Sequence, residues 1–142
     1  MKLANIRWGA VLGGVLLAEV ALIASSIIWV AIYSHGINPG QPMAVYHEHA
    51  QQSGVWVSLA VGMPAFFLIC RWLGRRNPPS AMPTAMALFA VYLMLEASIL
   101  SAVYMHDPGT HFPPMPLLAL NFATKLLACW LGARSTMRRD AA

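Results

Sequence analysis

"GGVLLAEVALIASSIIW" (residues 13–29) decides the fold: an apolar run carrying one carboxylate, Glu19, near its middle. Extended to residues 9–33 at 1.5 Å rise per residue, it reaches about 37 Å, enough to cross a hydrocarbon core of about 30 Å. A signal peptide also starts with positive charge, here Lys2 and Arg7. A signal h-region, however, runs only about 7 to 15 residues, so a retained helix is expected.

Three further stretches have the same character: residues 55–73, 82–104 and 116–133. The whole chain of 142 residues is 58% hydrophobic and 10% charged, against about a quarter charged in soluble domains. One all-α membrane domain of four transmembrane helices is expected over residues 1–142. The lipid bilayer is its first partner.

The net charge of +4 does not point to nucleic acid, because the basic residues form short clusters between apolar runs rather than one patch. Lys2 and Arg7 precede the first span, Arg71, Arg75 and Arg76 end the second, and Arg134, Arg138 and Arg139 follow the fourth. Eight of the nine Lys and Arg thus fall on one side. By the positive-inside rule both termini are expected in the cytoplasm of a bacterium, with the chain in its inner membrane.

The two halves echo each other. "YSHGINPG" (33–40) and "YMHDPG" (104–109) end the outward spans, while "CRWLGRR" (70–76) and "CWLGAR" (129–134) end the returning ones. This pattern is that of two tandem helical hairpins related by an axis along the membrane normal, joined by the short "RRNPPSAMP" linker (75–83). In the longer outer loop, Pro42 is placed to open a helix through "MAVYHEHAQQ" (43–52) that lies at the interface or runs into the second span. Gly9 and Gly13 in the first span, and Gly54, Ser58, Gly62 and Ala65 in the second, have the spacing of close helix packing. Pro64 removes one backbone hydrogen bond and is a candidate kink.

Function rests on three intramembrane charges, Glu19, Glu96 and Lys125. Each costs about 3 kcal/mol at the bilayer centre, so each is expected to face the bundle interior. The first span's twelve Leu, Ile and Val residues offset one glutamate with about 4 to 7 kcal/mol. The fourth span has only seven Leu and Phe residues to carry Asn121 and Lys125; their about 2 to 4 kcal/mol leaves it marginal without a partner for the lysine. Glu19 lies about 16 Å above Trp8 and Lys125 about 13 Å above Arg134, so the matched pair is Glu19 with Lys125. Glu96, about 12 Å below Tyr104, is left as the odd acid, with Tyr92 one turn away as its hydrogen-bond partner and a proton to bind or release. Ser26 shares the face of Glu19, and Asn121 that of Lys125, as polar support.

All five histidines, His35, His47, His49, His106 and His111, fall on the outer side with Glu48 and Asp107. Imidazoles and carboxylates suit a transition metal. Yet in a helix His47 and His49 point about 200° apart, which makes a shared metal a weak expectation. No cofactor is otherwise expected: no histidine lies inside a span to hold a haem, and Cys70 and Cys129 sit near cytoplasmic helix ends where thiols stay reduced. No Walker loop, nucleophile elbow or zinc-protease helix is present, so the chain reads as a non-enzyme.

The opening "IRWGAVLGGVLLAE" (6–19), the closing "KLLACWLGAR" (125–134) and the Arg pair after the second span resemble a recurring type of small, uncharacterised four-helix bacterial inner-membrane protein. The resemblance implies architecture and brings no activity. "AEV" (18–20) in the first helix is also similar to the small multidrug resistance transporters, in which a first-helix glutamate binds protons and cationic drugs within a dimer. This chain departs from them in its strong positive-inside bias, intramembrane lysine and long histidine-bearing loop, so that family is not adopted.

The first functional expectation is a structural or accessory component of a membrane assembly, homo-oligomeric or bound to another membrane protein, with an interior Glu/Lys pair. The second is an oligomeric proton- or ion-linked permease working through Glu96 and Glu19. The third is an outer-face histidine metal site.

Overall fold

The computed structural model describes residues 6–106 and 113–137. Among them every element is helical: α1 Trp8–Ile32, α2 Met43–Arg76, α3 Ala81–His106 and α4 Met115–Met137. A single π-helical turn, Tyr33–Ile37, extends α1, and a 3-10 turn, Pro78–Ser80, leads into α3. Each of the four is long and apolar enough to cross a membrane.

Pro42 stands at the N-cap of α2, and the helix runs unbroken from Met43 through the interior Pro64 to Arg76. The outer-loop helix and the second span are therefore one element. At about 51 Å it exceeds the hydrocarbon thickness of about 30 Å by about 21 Å, or about 14 residues. The turn before it is closed by Gly40 at φ +79°, a backbone conformation only glycine adopts freely. It is pinned by Tyr46, whose hydroxyl accepts from the Gln41 N–H at 3.0 Å and donates to the Asn38 carbonyl at 3.0 Å.

The helices order themselves as a ring. The most extensive contact is between α2 and α4; α1 packs on α2 and α3, and α3 packs on α4. Contact across the diagonal between α1 and α4 is slight. Apolar residues at four- and three-residue steps turn inward, Val11, Val15, Ala18 and Leu22 from α1 and Ala81, Ala85, Leu88 and Tyr92 from α3. On the opposite face of α1, Leu12, Leu16, Val20, Ile23 and Ile27 are more than half exposed, as lipid-facing side chains are.

The small residues divide into two groups. A Cβ at Gly62 would lie 2.6 Å from Cε of Lys125, one at Gly14 would lie 2.6 Å from Leu88, and one at Gly132 would lie 2.5 Å from the Phe67 carbonyl oxygen. At Gly9, Gly13 and Gly54 it would meet nothing within 4 Å. The expected close packing therefore holds at Gly62 but not at Gly9, Gly13 or Gly54, which border clefts between helices.

Burial is uneven along the bundle. α1 has no buried residue after Leu22, α3 none after Tyr92, and α4 none before Asn121. The helices are tightly packed in the half nearer the arginines and splay in the half nearer the histidine-bearing loop. That splay positions the site.

Candidate functional site

Lys125 is fully buried, at 0% exposure. Its stem crosses α2 at Gly62, where the missing side chain leaves the room it needs. Its ammonium donates to Ser58 Oγ at 2.8 Å and to the Tyr92 hydroxyl at 2.6 Å. Ser58, Gly62 and Phe66 follow at four-residue spacing on one face of α2, which supplies acceptor, notch and wall in turn. The Phe66, Tyr92 and Phe122 ring centroids lie 6.0, 4.8 and 6.0 Å from Nζ, within the range where aromatic faces favour a cation.

Tyr92 passes the interaction on. Its hydroxyl donates to Glu96 Oε1 at 2.6 Å, one turn up the same helix. The result is a continuous chain from Ser58 through Lys125 and Tyr92 to Glu96, joining α2, α4 and α3. Tyr92 is the expected partner of Glu96. The lysine's connection through it was not legible.

The expected contact between Glu19 and Lys125 does not form: Lys125 hydrogen-bonds Ser58 and Tyr92 instead, and Glu19 Oε1 is buried without a hydrogen-bond partner among the described residues, while the two charges remain within electrostatic range of each other. The reason is the order of helices around the ring: α1 and α4 sit on a diagonal, so matched depth brings the two charges near without bringing them into contact. The lysine turns instead to the neighbours of α4, and Glu96, placed higher, is reached because Tyr92 spans the difference in level.

Above this chain, in the splayed half, lies a cavity of about 390 Å³ bordered by all four helices. Both carboxylates, Glu19 and Glu96, are on its wall, with Ser26, Ser58 and Asn121. Asn121 is 6% exposed, and its Oδ1, like Glu19 Oε1, has no partner among the described residues. Five of the polar residues singled out in the sequence thus meet here or just beneath: Glu19, Glu96, Ser26 and Asn121 on the wall, Lys125 below it. Ser58, Gly62, Phe66 and Phe122 were missed. The four-residue stripe on α2 was the available signal, legible as packing but not as a lysine seat.

Among the described residues the histidines do not gather. His49 accepts from Trp29 Nε1–H at 3.1 Å and stacks on Tyr33 with ring centroids 3.5 Å apart, clamping the start of α2 to the end of α1. His47, two positions earlier in the same helix, is exposed, while His35 bonds back to the Ala31 carbonyl and Ser34, and His106 ends α3. Among the described residues no three His, Cys, Asp or Glu side chains come together as a metal group. His111 and Asp107 lie outside the described residues, as do Lys2, Arg138 and Arg139. Cys70 and Cys129 are buried free thiols. His49→Ala is expected to cost about 1 to 2 kcal/mol, one hydrogen bond plus a stacked pair, measured as a lower thermal midpoint of the purified protein. An unchanged midpoint would mean the clamp carries no stability.

Fold and site together define a class: a small four-helix membrane-spanning protein with a buried lysine–tyrosine–glutamate chain beneath a carboxylate-walled cavity. Comparison with protein-family models, curated proteins and solved structures finds no match for the chain.

Proposed function

We propose that the protein is a proton-linked permease of the bacterial inner membrane, working as a homo-oligomer with both termini in the cytoplasm. The observation that carries this reading is the placement of Glu19. A charge set that served stability alone would close on itself, since an unmet buried polar atom costs about 1 to 3 kcal/mol and a charged one more. Here Lys125 and Glu96 are joined through Tyr92, whereas Glu19, which borders the same cavity, keeps a buried oxygen with no hydrogen-bond partner among the described residues. An acid left so is one that exchanges its partner, proton or ligand, during a working cycle.

In this proposal the arginine-rich ends are cytoplasmic and the splayed half opens outward. The tandem-hairpin relation is supported by matched details at the inner ends: Arg76 lies 4.2 Å over the Trp72 ring and Arg134 lies 4.7 Å over the Trp130 ring, in the repeated Trp-Leu-Gly-x-Arg pattern. A second reading, a structural or accessory component of a membrane assembly, is favoured by the outward face of α1, where Leu12, Leu16, Val20 and Ile23 are more than half exposed.

The deciding experiment is proton flux in proteoliposomes. Wild type is expected to carry flux that falls at least about tenfold in Glu19→Gln and in Glu96→Gln, as loss of an essential proton carrier requires. Absence of flux in folded wild type, or flux unchanged in both variants, would remove the permease reading and leave the accessory one.

A further inference from the structure

We infer that the cleft between α1, the end of α2 and the start of α3 is a binding site for an anionic phospholipid, with its headgroup held by Arg7 and Arg76 and an acyl chain laid along α1. The cleft lies at the other end of the bundle from the carboxylate-walled cavity, and the inference does not depend on the permease reading.

The charge on the cleft is of one sign. It encloses about 470 Å³, and its lining holds two guanidinium groups from different helices and, among the described residues, no carboxylate. Arg7 is the N-cap residue of α1 and Arg76 ends α2, its guanidinium 4.2 Å from the ring centroid of Trp72, which is also on the wall. A guanidinium laid on an aromatic face keeps its N–H edge free for an oxyanion. Asn77, at the C-cap of α2, and Thr84 of α3 add polar groups beside the two arginines. Basic pockets between membrane helices take anionic headgroups in this way. With no acid on the wall, nothing receives the cationic end of a zwitterionic headgroup, so a lipid of net negative charge is selected.

The floor of the cleft is apolar and long. Gly9, Gly13 and Leu17 follow at four-residue steps on one face of α1, and a Cβ at either glycine would meet nothing within 4 Å. The groove there is left open rather than filled by a neighbouring helix. From Arg7 to Leu17 the axis rises about 15 Å, half of a hydrocarbon core of about 30 Å. Leu73 is buried at the back, whereas Leu17 and Trp72 are 54% and 47% exposed, so the groove opens sideways to lipid.

Charge at the helix ends and apolar surface running inward reproduce the order of headgroup and acyl chain in one leaflet. A soluble anion would use the arginines and leave the groove uncovered. That combination commits the site to a lipid.

The test is native mass spectrometry of the full chain, released from detergent micelles holding equal amounts of dioleoyl phosphatidylglycerol and dioleoyl phosphatidylcholine. Wild type is expected to retain one phosphatidylglycerol with at least about tenfold preference, the scale of two arginines acting on one anionic headgroup. Arg7→Gln with Arg76→Gln is expected to erase the preference. Arg71→Gln with Arg75→Gln removes two charges from the same end of α2 but off the cleft, and is expected to leave the preference within about twofold. Gly13→Leu fills the groove without touching charge and is expected to weaken retention about tenfold. Equal retention of the two lipids by wild type, a preference that survives loss of Arg7 and Arg76, or retention unchanged by Gly13→Leu, in variants with wild-type helical circular dichroism, would overturn the inference. So would an equal loss in the Arg71 and Arg75 variant, which would assign the preference to diffuse charge. Displacement of the lipid by excess glycerol 1-phosphate would overturn it as well, by showing a site for a free anion.

Discussion

Tyr92→Phe is expected to destabilise the protein by about 2 kcal/mol or more, well above the roughly 0.6 kcal/mol average of a hydrogen bond between membrane helices. One hydroxyl serves two charged groups: it accepts from Lys125 Nζ and donates to Glu96 Oε1, each at 2.6 Å. Removing it leaves the fully buried ammonium with Ser58 alone and separates it from its nearest linked carboxylate. Breaking a buried ionic arrangement by deleting one partner is costly because the remaining charge stays desolvated. The test is a double-mutant cycle with Lys125→Met, which removes that remaining charge. In the Lys125→Met background the cost of Tyr92→Phe is expected to fall to about 1 kcal/mol, the value of the single bond to Glu96. A parallel cycle of Glu19→Gln with Lys125→Met is expected to show a smaller coupling than the first, because those side chains interact through space but share no hydrogen bond. Strong coupling in the second cycle and none in the first, measured by unfolding in mixed micelles, would restore the Glu19 to Lys125 pair and refute the chain described here.

The two pairings differ in what a sequence can and cannot reveal. Four helices long and apolar enough to span, and a helix start at Pro42, follow from local properties, whereas the sequence leaves open whether the helix after Pro42 lies at the interface or runs into the second span, which the unbroken α2 decides. Tyr92 with Glu96 was legible for the same reason, since residues four apart on one helix always meet. The partner of Lys125 was not, because it depends on which helices are neighbours in the ring, and depth along a span says nothing about that order. The histidines show the same limit. Their placement away from the arginine-bearing helix ends follows from the pattern, but the clamp of His49 between Trp29 and Tyr33 depends on how the end of α1 meets the start of α2.

The geometry of the site and the route of access to it have one physical origin. Small and aromatic side chains bring the helices together below Leu22, Tyr92 and Asn121, where the lysine is sealed; above that level the interior faces carry polar residues, and the helices part. The buried cation thus sits on the floor of the cavity rather than on its wall, with Tyr92 between it and Glu96.

That sealing depends on the approach of α2 to α4, so the second large effect is expected at Gly132. A Cβ there would stand 2.5 Å from the Phe67 carbonyl oxygen and 3.1 Å from the Arg71 amide nitrogen, both main-chain atoms of α2 that cannot rotate aside. Gly132→Ala must therefore push the two helices apart, at a cost of about 1 to 3 kcal/mol for overpacking. The substitution also gains up to about 1 kcal/mol of helix propensity, so the net loss is smaller than the contact alone implies, and Gly132→Leu is expected to exceed it clearly. Gly13→Ala isolates the propensity term, because a Cβ there meets nothing within 4 Å; it is expected to be neutral or stabilising by up to about 1 kcal/mol. The opposite signs of the two glycine-to-alanine changes are the informative result, read from thermal midpoints of the purified variants. If Gly132→Ala proved as harmless as Gly13→Ala, the close crossing of α2 and α4 would be wrong, and with it the sealed seat of Lys125 at Gly62.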